Sequence, residues 1–135
     1  MTGLAERIRG ELSAAGTDVE AGGADRLARY VELLLRANRE VNLVSRREAT
    51  HEALVDRHLR DALEVLPLLP PPGAGLLGLL DVGSGGGFPA VPLLLVRGDL
   101  KGTLVESVGK KARFLEGAIA ELELTARVVN ARFPD

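Results

Sequence analysis

The chain has 135 residues, which suits one domain, or one domain with a small helical extension, and is too short for two catalytic domains. Hydrophobic residues make up 46% and charged residues 27%, a balance typical of a globular protein with a buried core and not of a disordered tail. With 17 Lys and Arg against 19 Asp and Glu, the formal net charge is -2. Nucleic-acid binding would therefore require a local basic patch, and a polybasic membrane-binding mode is excluded.

The counts of cysteine and histidine exclude several kinds of site. There is no cysteine, so a disulfide framework, a thiolate zinc site and a cysteine nucleophile are excluded, and two histidines are too few for a metal cluster. The N-terminal segment lacks the apolar run of a signal peptide, and no stretch reaches the roughly 18 uncharged apolar residues of a membrane-spanning helix. We therefore expect a cytoplasmic protein without a metal site.

Three amphipathic helices are predicted in the first half of the chain. Apolar residues at helical spacing from Leu4 predict a helix that stops at Gly16, and those from Leu27 predict a second helix running to about Glu40. Residues 42–47 are predicted to form a connecting loop. The third helix has its apolar stripe at Val55, Leu59, Ala62, Leu63 and Leu66.

The start of that third helix is predicted from a capping pattern. Ser45 is followed three residues later by Glu48, which has the form of a capping box. A proline- and glycine-rich run at residues 70–75 cannot continue a helix and is the best boundary candidate. It divides an N-terminal helical region, residues 1–72, from a second part, residues 73–135.

The second part alternates between strand and helix patterns. Three buried parallel strands are predicted at residues 76–82, 103–105 and 127–130, with helices at 88–96 and 110–122. This order is the start of a doubly wound, Rossmann-like sheet. The predicted fold class is therefore α/β, with a parallel sheet of about three strands preceded by the helical region.

Residues 80–89, which read LDVGSGGGFP, carry most of the chemical information. A dinucleotide-binding fingerprint requires a glycine at the sixth position counted from Gly83, where this chain has Phe88. A phosphate-binding P-loop is also excluded, because Gly109 and Lys110 are followed by a second lysine and lack the upstream glycines. A phosphate-binding dehydrogenase is therefore disfavoured, and Gly109-Lys110 does not complete a P-loop.

An acidic residue followed by G-x-G-x-G is typical of sites for S-adenosylmethionine. Here Asp81 precedes Gly83 and Gly85, and glycines allow the backbone to approach the methionine part of the donor without a Cβ in the way. Glu106 ends the second predicted strand 25 residues after Asp81, where a carboxylate can accept both ribose hydroxyls. The alternatives are a glycine-rich turn without a ligand and, for Glu106, a helix or turn cap.

Four motifs in this order resemble a known family, the bacterial small-subunit ribosomal RNA guanine-N7 methyltransferases, also called the glucose-inhibited division protein B family. The resemblance covers about residues 27–130. It rests on Asn42-Leu43, on VDRHLRDAL at 55–63, on DVGSGGGFPAVPL at 81–93, and on LVESVGKK at 104–111 with Arg113-Phe114-Leu115. It implies S-adenosylmethionine as cofactor and small-subunit ribosomal RNA as partner.

The resemblance also assigns residues to the donor site. It implies that Gly83 and Phe88 line this site beside Asp81 and Gly85. It also implies that Glu106, Ser107 and Val108 contact the nucleoside. Phe133 and Pro134 are implied to hold the adenine end.

Cationic residues supply candidate contacts to RNA. The candidates are Arg46, Arg47, Arg57, His58, Lys110 and Lys111. The alternative for the arginines and lysines is that they are solvated surface residues that contact no RNA. For His58 the alternative is a structural hydrogen bond to Asp61, three residues further along the same helix.

The chain departs from the family pattern at several positions. Ala90 replaces a usual glycine, Ala62 replaces a usual serine, and Phe133-Pro134 occurs where the family tends to have an acidic residue. The family also continues beyond the length of this chain, through strands that carry another donor-contacting arginine and much of the guanine pocket. A fragment or truncated product is therefore expected.

The function implied is methyl transfer from S-adenosylmethionine to N7 of a guanine in small-subunit ribosomal RNA. N7 carries an in-plane lone pair and no proton, so the reaction needs no general base and no catalytic residue is predicted. Two alternatives remain open: a donor-binding module without catalysis, and a small-molecule methyltransferase of the same fold.

Overall fold

Helices form the first half of the chain, and strands alternate with helices in the second. The computed structural model describes residues 2–17, 22–73 and 75–132. The elements are α1 (Thr2–Ala14), α2 (Gly23–Ala37), α3 (His51–Ala53), α4 (Arg60–Leu63), β1 (Leu77–Val82), α5 (Ala90–Val96), β2 (Leu100–Val105), α6 (Gly109–Leu122) and β3 (Ala126–Val129). Short 3-10 turns occupy Arg46–Glu48 and Leu66–Leu68. The predicted fold class, α/β with a helical region first, is confirmed.

The sheet is parallel, and its described strands have the order β1-β2-β3. Leu77 pairs with Leu100 and Val82 with Val105, so β1 and β2 end in register. Since the carboxyl ends of parallel strands lie at the same edge of a sheet, the glycine loop after β1 and Glu106 after β2 are neighbours.

Burial differs between the strands. The central strand β2 is largely buried, with Leu100 and Leu104 almost inaccessible to solvent. In β1, half-buried residues alternate with exposed ones, and Leu80 and Val82 are 60% and 47% exposed. The prediction that all three strands are buried is therefore wrong for β1, because no described element covers one of its faces. It is also wrong for β3, in which Arg127 is exposed and the other three residues are half-buried.

The helices of the first half share one apolar core with the sheet. Tyr30 and Leu34 of α2 are fully buried in the same cluster as Leu93 of α5, Leu104 of β2 and Leu115 of α6. At roughly 25 cal/mol per Å² of apolar surface removed from water, such burial is the dominant favourable contribution to folding. The N-terminal helices therefore pack directly on the elements that carry the glycine loop.

The third helix begins later than the sequence predicts. The Ser45 hydroxyl accepts a hydrogen bond from the Glu48 backbone N–H at 3.3 Å, but this cap closes only the separate 3-10 turn. The helix itself begins at His51, where the Thr50 hydroxyl accepts from the Ala53 N–H at 3.0 Å. Thr50 is a second good capping residue, so local pattern alone did not decide between the two positions.

This third helix is not a uniform α-helix. Its middle, Leu54–Leu59, is π-helical and joins α3 to α4 without a break. We call this run, residues 51–63, the composite helix. No helix of the described residues is long and apolar enough to cross a membrane.

Candidate functional site

The glycine loop, residues 83–87, is held against the end of β2. The backbone N–H groups of Gly83 and Ser84 both donate to the carbonyl oxygen of Val105, at 2.8 and 3.2 Å. Gly83, Gly85 and Gly87 have positive φ angles of 76, 54 and 101 degrees, a region that side chains other than glycine rarely adopt. The G-x-G-x-G spacing therefore follows from backbone conformation.

The glycines of this loop serve two different purposes. A Cβ placed on Gly83 or on Gly85 would meet no heavy atom within 4 Å. A Cβ on Gly87 would lie 2.8 Å from Val91 Cγ2 and 2.9 Å from the Tyr30 hydroxyl. The space beside Gly83 and Gly85 is thus open to a ligand, whereas Gly87 is required for packing.

Glu106 joins the glycine loop to the start of α6. It is only 6% exposed, and its Oε1 accepts a hydrogen bond from the Gly85 N–H at 2.7 Å. Its Oε2 accepts from the Val108 N–H at 3.0 Å. Each carboxylate oxygen has two lone pairs, so both keep the capacity to accept a further donor. The predicted cap and a ligand contact are therefore compatible in one residue.

Asp81, the last acidic residue before the loop, has an unsatisfied carboxylate. Its Oδ2 is buried and has no hydrogen-bond partner in the described part of the chain. Burial raises the pKa of Asp81, the Ser84 hydroxyl opposes this rise, and the Glu106 carboxylate adds to it. In the structure that hydroxyl donates to the Asp81 backbone carbonyl at 3.2 Å, so Oδ2 remains available to a cationic ligand group.

The ring of Phe88, at the end of the glycine loop, packs against two other rings. Its centroid is 5.3 Å from that of Tyr30 and 5.2 Å from that of His58. The Tyr30 hydroxyl donates to the Gly86 carbonyl at 2.6 Å, and burial raises the pKa of Tyr30 well above its ordinary value, so it remains a donor. Tyr30 was not predicted as a site residue, although it is the one tyrosine of the chain.

His58 does not pair with Asp61. Its Nε2 lies 3.3 Å from Glu48 Oε2, an ion-pair distance, but the two atoms are not aligned as a hydrogen bond. Arg57 Nη1 lies 3.5 Å from the same oxygen. The alternative of a His58–Asp61 hydrogen bond is therefore wrong, because the His58 ring lies against Phe88 and Glu48 while Asp61 is exposed.

The remaining predicted contacts surround this centre. Ser107 and Val108 are exposed directly after Glu106, and the Asn130 amide nitrogen donates to the Glu106 and Ser107 carbonyls at 2.8 and 3.2 Å. Asn130 was not predicted as a site residue, since nothing local marks a contact between β3 and this loop. Phe133 and Pro134 lie outside the described residues.

The cationic candidates occupy two places. Arg46 and Arg47 are exposed in the 3-10 turn that also carries Glu48. Lys110, which is exposed, and Lys111, which is half-buried, are in the first turn of α6. None of these four forms an ion pair with a described carboxylate, which leaves their charges available to an anionic partner.

Comparisons with known proteins agree on one family. The family model GidB, described as rRNA small subunit methyltransferase G, matches residues 24–135. The ribosomal RNA small subunit methyltransferase G of Neisseria meningitidis serogroup C / serotype 2a is 40% identical over 128 residues, which cover 94% of this chain and 59% of that protein. The proteins of the same name from Acidiphilium cryptum and Anaeromyxobacter dehalogenans are 43% identical over 106 residues and 40% identical over 127 residues, covering 78% and 94% of this chain. The chain spans 48% and 56% of these two relatives.

Proposed function

The chain belongs to the GidB family of rRNA small subunit methyltransferases G, and from that premise we propose that it carries the methyl-donor site of an S-adenosylmethionine-dependent methyltransferase. We further propose that the acceptor is N7 of a guanine in small-subunit ribosomal RNA. The chain spans 59% of the Neisseria relative, so activity and substrate belong to this proposal. A ribosomal RNA substrate would place the protein in the cytoplasm.

The observation that carries the proposal is the arrangement of charge around an open glycine loop. S-adenosylmethionine has a cationic amino acid end, which suits the unpartnered Oδ2 of Asp81. Its ribose has two hydroxyl donors, which suit the free lone pairs of Glu106. Gly83 and Gly85, beside which the space is open, lie between these two carboxylates in the sequence. The residues present therefore fit the donor.

The other predicted donor contacts extend this arrangement. Ser107 and Val108 present exposed backbone and side chain beside Glu106 and are proposed to contact the nucleoside. The ring of Phe88 supplies an apolar wall. Phe133 and Pro134 are proposed, from the resemblance alone, to hold the adenine end.

The proposed reaction requires alignment of the donor methyl group with N7 and no proton transfer. The donor supplies an electrophilic methyl group on a sulfonium. In the transfer, the N7 lone pair would form the new N–C bond, the electron pair of the broken S–C bond would stay on sulfur, and no proton would move. The residues of this chain therefore bind and orient the donor, and positioning of this kind is worth several kcal/mol of the barrier, on the order of 7 in favourable cases.

RNA is proposed to be held by the cationic candidates, most of which are exposed. Arg46, Arg47 and Arg57 lie in or beside the 3-10 turn, and Lys110 and Lys111 follow the Glu106 loop. Arginine and lysine contacts to phosphates fix the register of a nucleic acid without reading its sequence. His58, which is half-buried against Phe88, is proposed to contact RNA where it approaches the donor site.

A calorimetric titration with S-adenosylmethionine tests the donor, with NAD as the comparison ligand. Binding of S-adenosylmethionine without binding of NAD is expected, and the reverse preference would overturn the proposal. The acceptor is tested with a donor labelled in its methyl group, offered small-subunit particles in one reaction and free guanosine in another. Label on guanosine alone would overturn the RNA substrate.

A further inference from the structure

A polar groove lies where α2 ends and the chain turns toward the composite helix. Its volume is about 640 Å³. Its polar lining consists of Asn38, Arg39, Asn42, Arg46, Thr50 and His51. Of these, only Arg46 was a candidate contact to RNA from the sequence, and Asn42 was noted only as part of the Asn42-Leu43 motif.

The groove differs from its neighbours in charge. It is lined by two arginines and no carboxylate. In the groove between α2 and α6, three carboxylates balance three arginines: Asp25, Glu32 and Glu121 against Arg26, Arg29 and Arg36. The groove between α1 and the composite helix has Glu11 and Glu64 against Arg60. On a chain with a formal net charge of -2, a carboxylate-free groove is a local positive site, which is the requirement for binding an anion here.

The arginines of the groove are not engaged within the protein. Neither Arg39 nor Arg46 forms an ion pair with any described carboxylate. The third basic side chain, His51, is already paired, with its Nε2 2.6 Å from Glu32 Oε1. The charge available to a ligand therefore comes from the two guanidinium groups, which suit phosphate oxygens.

The wall of the groove is fixed and adjoins the glycine loop. Asn38 Oδ1 accepts hydrogen bonds from the backbone N–H groups of Leu43 and Val44, at 2.8 and 2.9 Å. Leu43 is buried, and its Cβ lies 3.4 Å from the position of a Cβ on Gly86. One short segment thus separates the groove from the back of the glycine loop.

We propose that this groove binds the phosphate backbone of the single-stranded RNA that contains the acceptor base. Arg39 and Arg46 contact phosphate, while the side chain of Asn42 supplies hydrogen bonds to sugar or base. This rests on the proposed function and goes beyond it by giving the RNA a location next to the donor loop. A single strand is favoured because an acceptor base must leave its stack to reach a reactive atom, and loops and ends present such bases.

The test is binding of a short, fluorescently labelled single-stranded RNA to the full chain, measured by anisotropy over a range of salt concentrations. The double variant Arg39→Gln with Arg46→Gln is compared with Arg9→Gln with Arg29→Gln, an equal change in charge at two exposed arginines outside the groove. We expect the groove variant to bind at least about tenfold more weakly, with a salt slope smaller by about 1.4, because two phosphate contacts are lost. The control pair should change both quantities little.

Further measurements make each result decisive. The double variant Arg39→Lys with Arg46→Lys keeps the charge and should keep the salt slope, and thermal melting confirms that all variants are folded. Equal weakening by the groove and control pairs, or no weakening by the groove pair, would overturn the proposal. Binding of an acidic peptide through the same two arginines as tightly as RNA would also overturn it, in favour of a protein partner.

Binding of S-adenosylmethionine to the parent chain, measured beside its RNA affinity, distinguishes failure of this proposal from failure of the proposed function. If the parent binds S-adenosylmethionine but its RNA affinity is insensitive to the groove pair, the groove assignment fails alone. If RNA affinity depends on the groove pair and the parent binds no S-adenosylmethionine, the donor function fails and the groove remains.

Discussion

The imidazole of His58 packs against the ring of Phe88, with 5.2 Å between the ring centroids and 34 degrees between the planes. This contact joins the composite helix to the residue that follows the glycine loop. Tyr30 of α2 packs against the same ring, with 5.3 Å between the centroids, and its hydroxyl donates a hydrogen bond to the Gly86 carbonyl. The position of Phe88 is therefore set by two helices of the first half of the chain.

We expect His58→Ala to weaken binding of S-adenosylmethionine by about 2- to 12-fold, because an aromatic pair of this geometry is worth roughly 0.5–1.5 kcal/mol. His58→Phe retains a ring and should recover most of the affinity. Calorimetry with thermal melting of both variants checks this. Equal affinities for the alanine and phenylalanine variants would show that the ring of His58 does not position Phe88.

Substitutions at Gly85 and Gly87 should have opposite consequences. Gly85→Val places its side chain in open space, so the protein should fold, with about 1–2 kcal/mol of strain from the positive φ, and lose donor binding. Gly87→Ala would clash with Val91 and the Tyr30 hydroxyl and should lower the free energy of unfolding by about 1–3 kcal/mol. Denaturant unfolding and calorimetry separate the two effects. Unchanged donor affinity in folded Gly85→Val would count decisively against the donor site.

Glu106→Gln tests whether the carboxylate contacts the ribose or only braces the loop. The amide nitrogen would face one of the two backbone N–H groups that now donate to the carboxylate. Loss of a charged acceptor is worth about 1.5–3 kcal/mol, so donor affinity should fall by roughly one to two decades.

A donor analogue that lacks one ribose hydroxyl serves as the control for Glu106. If Glu106 binds the ribose, removing the hydroxyl should weaken binding to the parent more than binding to Glu106→Gln. An equal penalty in both proteins would assign Glu106 to the loop alone.

Asp81→Asn should stabilise the fold at neutral pH. Because burial raises the pKa of Asp81 above its value in the unfolded chain, the folded state binds the proton more tightly. The contribution of Asp81 to stability is therefore fully present below the unfolded pKa and is lost as pH rises through the folded pKa. We expect a higher melting temperature for Asp81→Asn at pH near 7, a difference that disappears in acid, and weaker donor binding. A difference in melting temperature that does not change with pH would contradict the assignment.

The edge of β1 should make the 135-residue chain self-associate. Among the described strands β1 pairs only with β2, and its exposed face carries Leu80 and Val82. An apolar strand with an unpaired edge is a template for intermolecular pairing. Light scattering should detect dimers or larger species, and Leu80→Lys should reduce them. A stable monomer with amides protected from exchange along both edges of β1 would show that this edge is covered.

The sequence by itself determined the type and order of the main helices and strands, although β2 begins three residues earlier than predicted and the third helix begins later. Apolar periodicity marked α1, α2, α6 and the strands because it is a local property of each segment. It also placed Asp81 and Glu106 at neighbouring strand ends, since the parallel α/β order brings those ends together. The assignment of Glu106, Gly85 and the other predicted residues to a donor remains a prediction.

Only the tertiary structure decided which groups meet across the chain. Tyr30 binds Gly86 from 56 positions away, Asn130 binds the carbonyl of Glu106, and His58 turns to Phe88 and not to Asp61. No local pattern encodes such contacts, because they depend on how the helices pack on the sheet. Burial of β1 and of β3 was mispredicted for the same reason: an apolar run gives the composition of a strand, whereas solvent exposure depends on which elements cover its two faces.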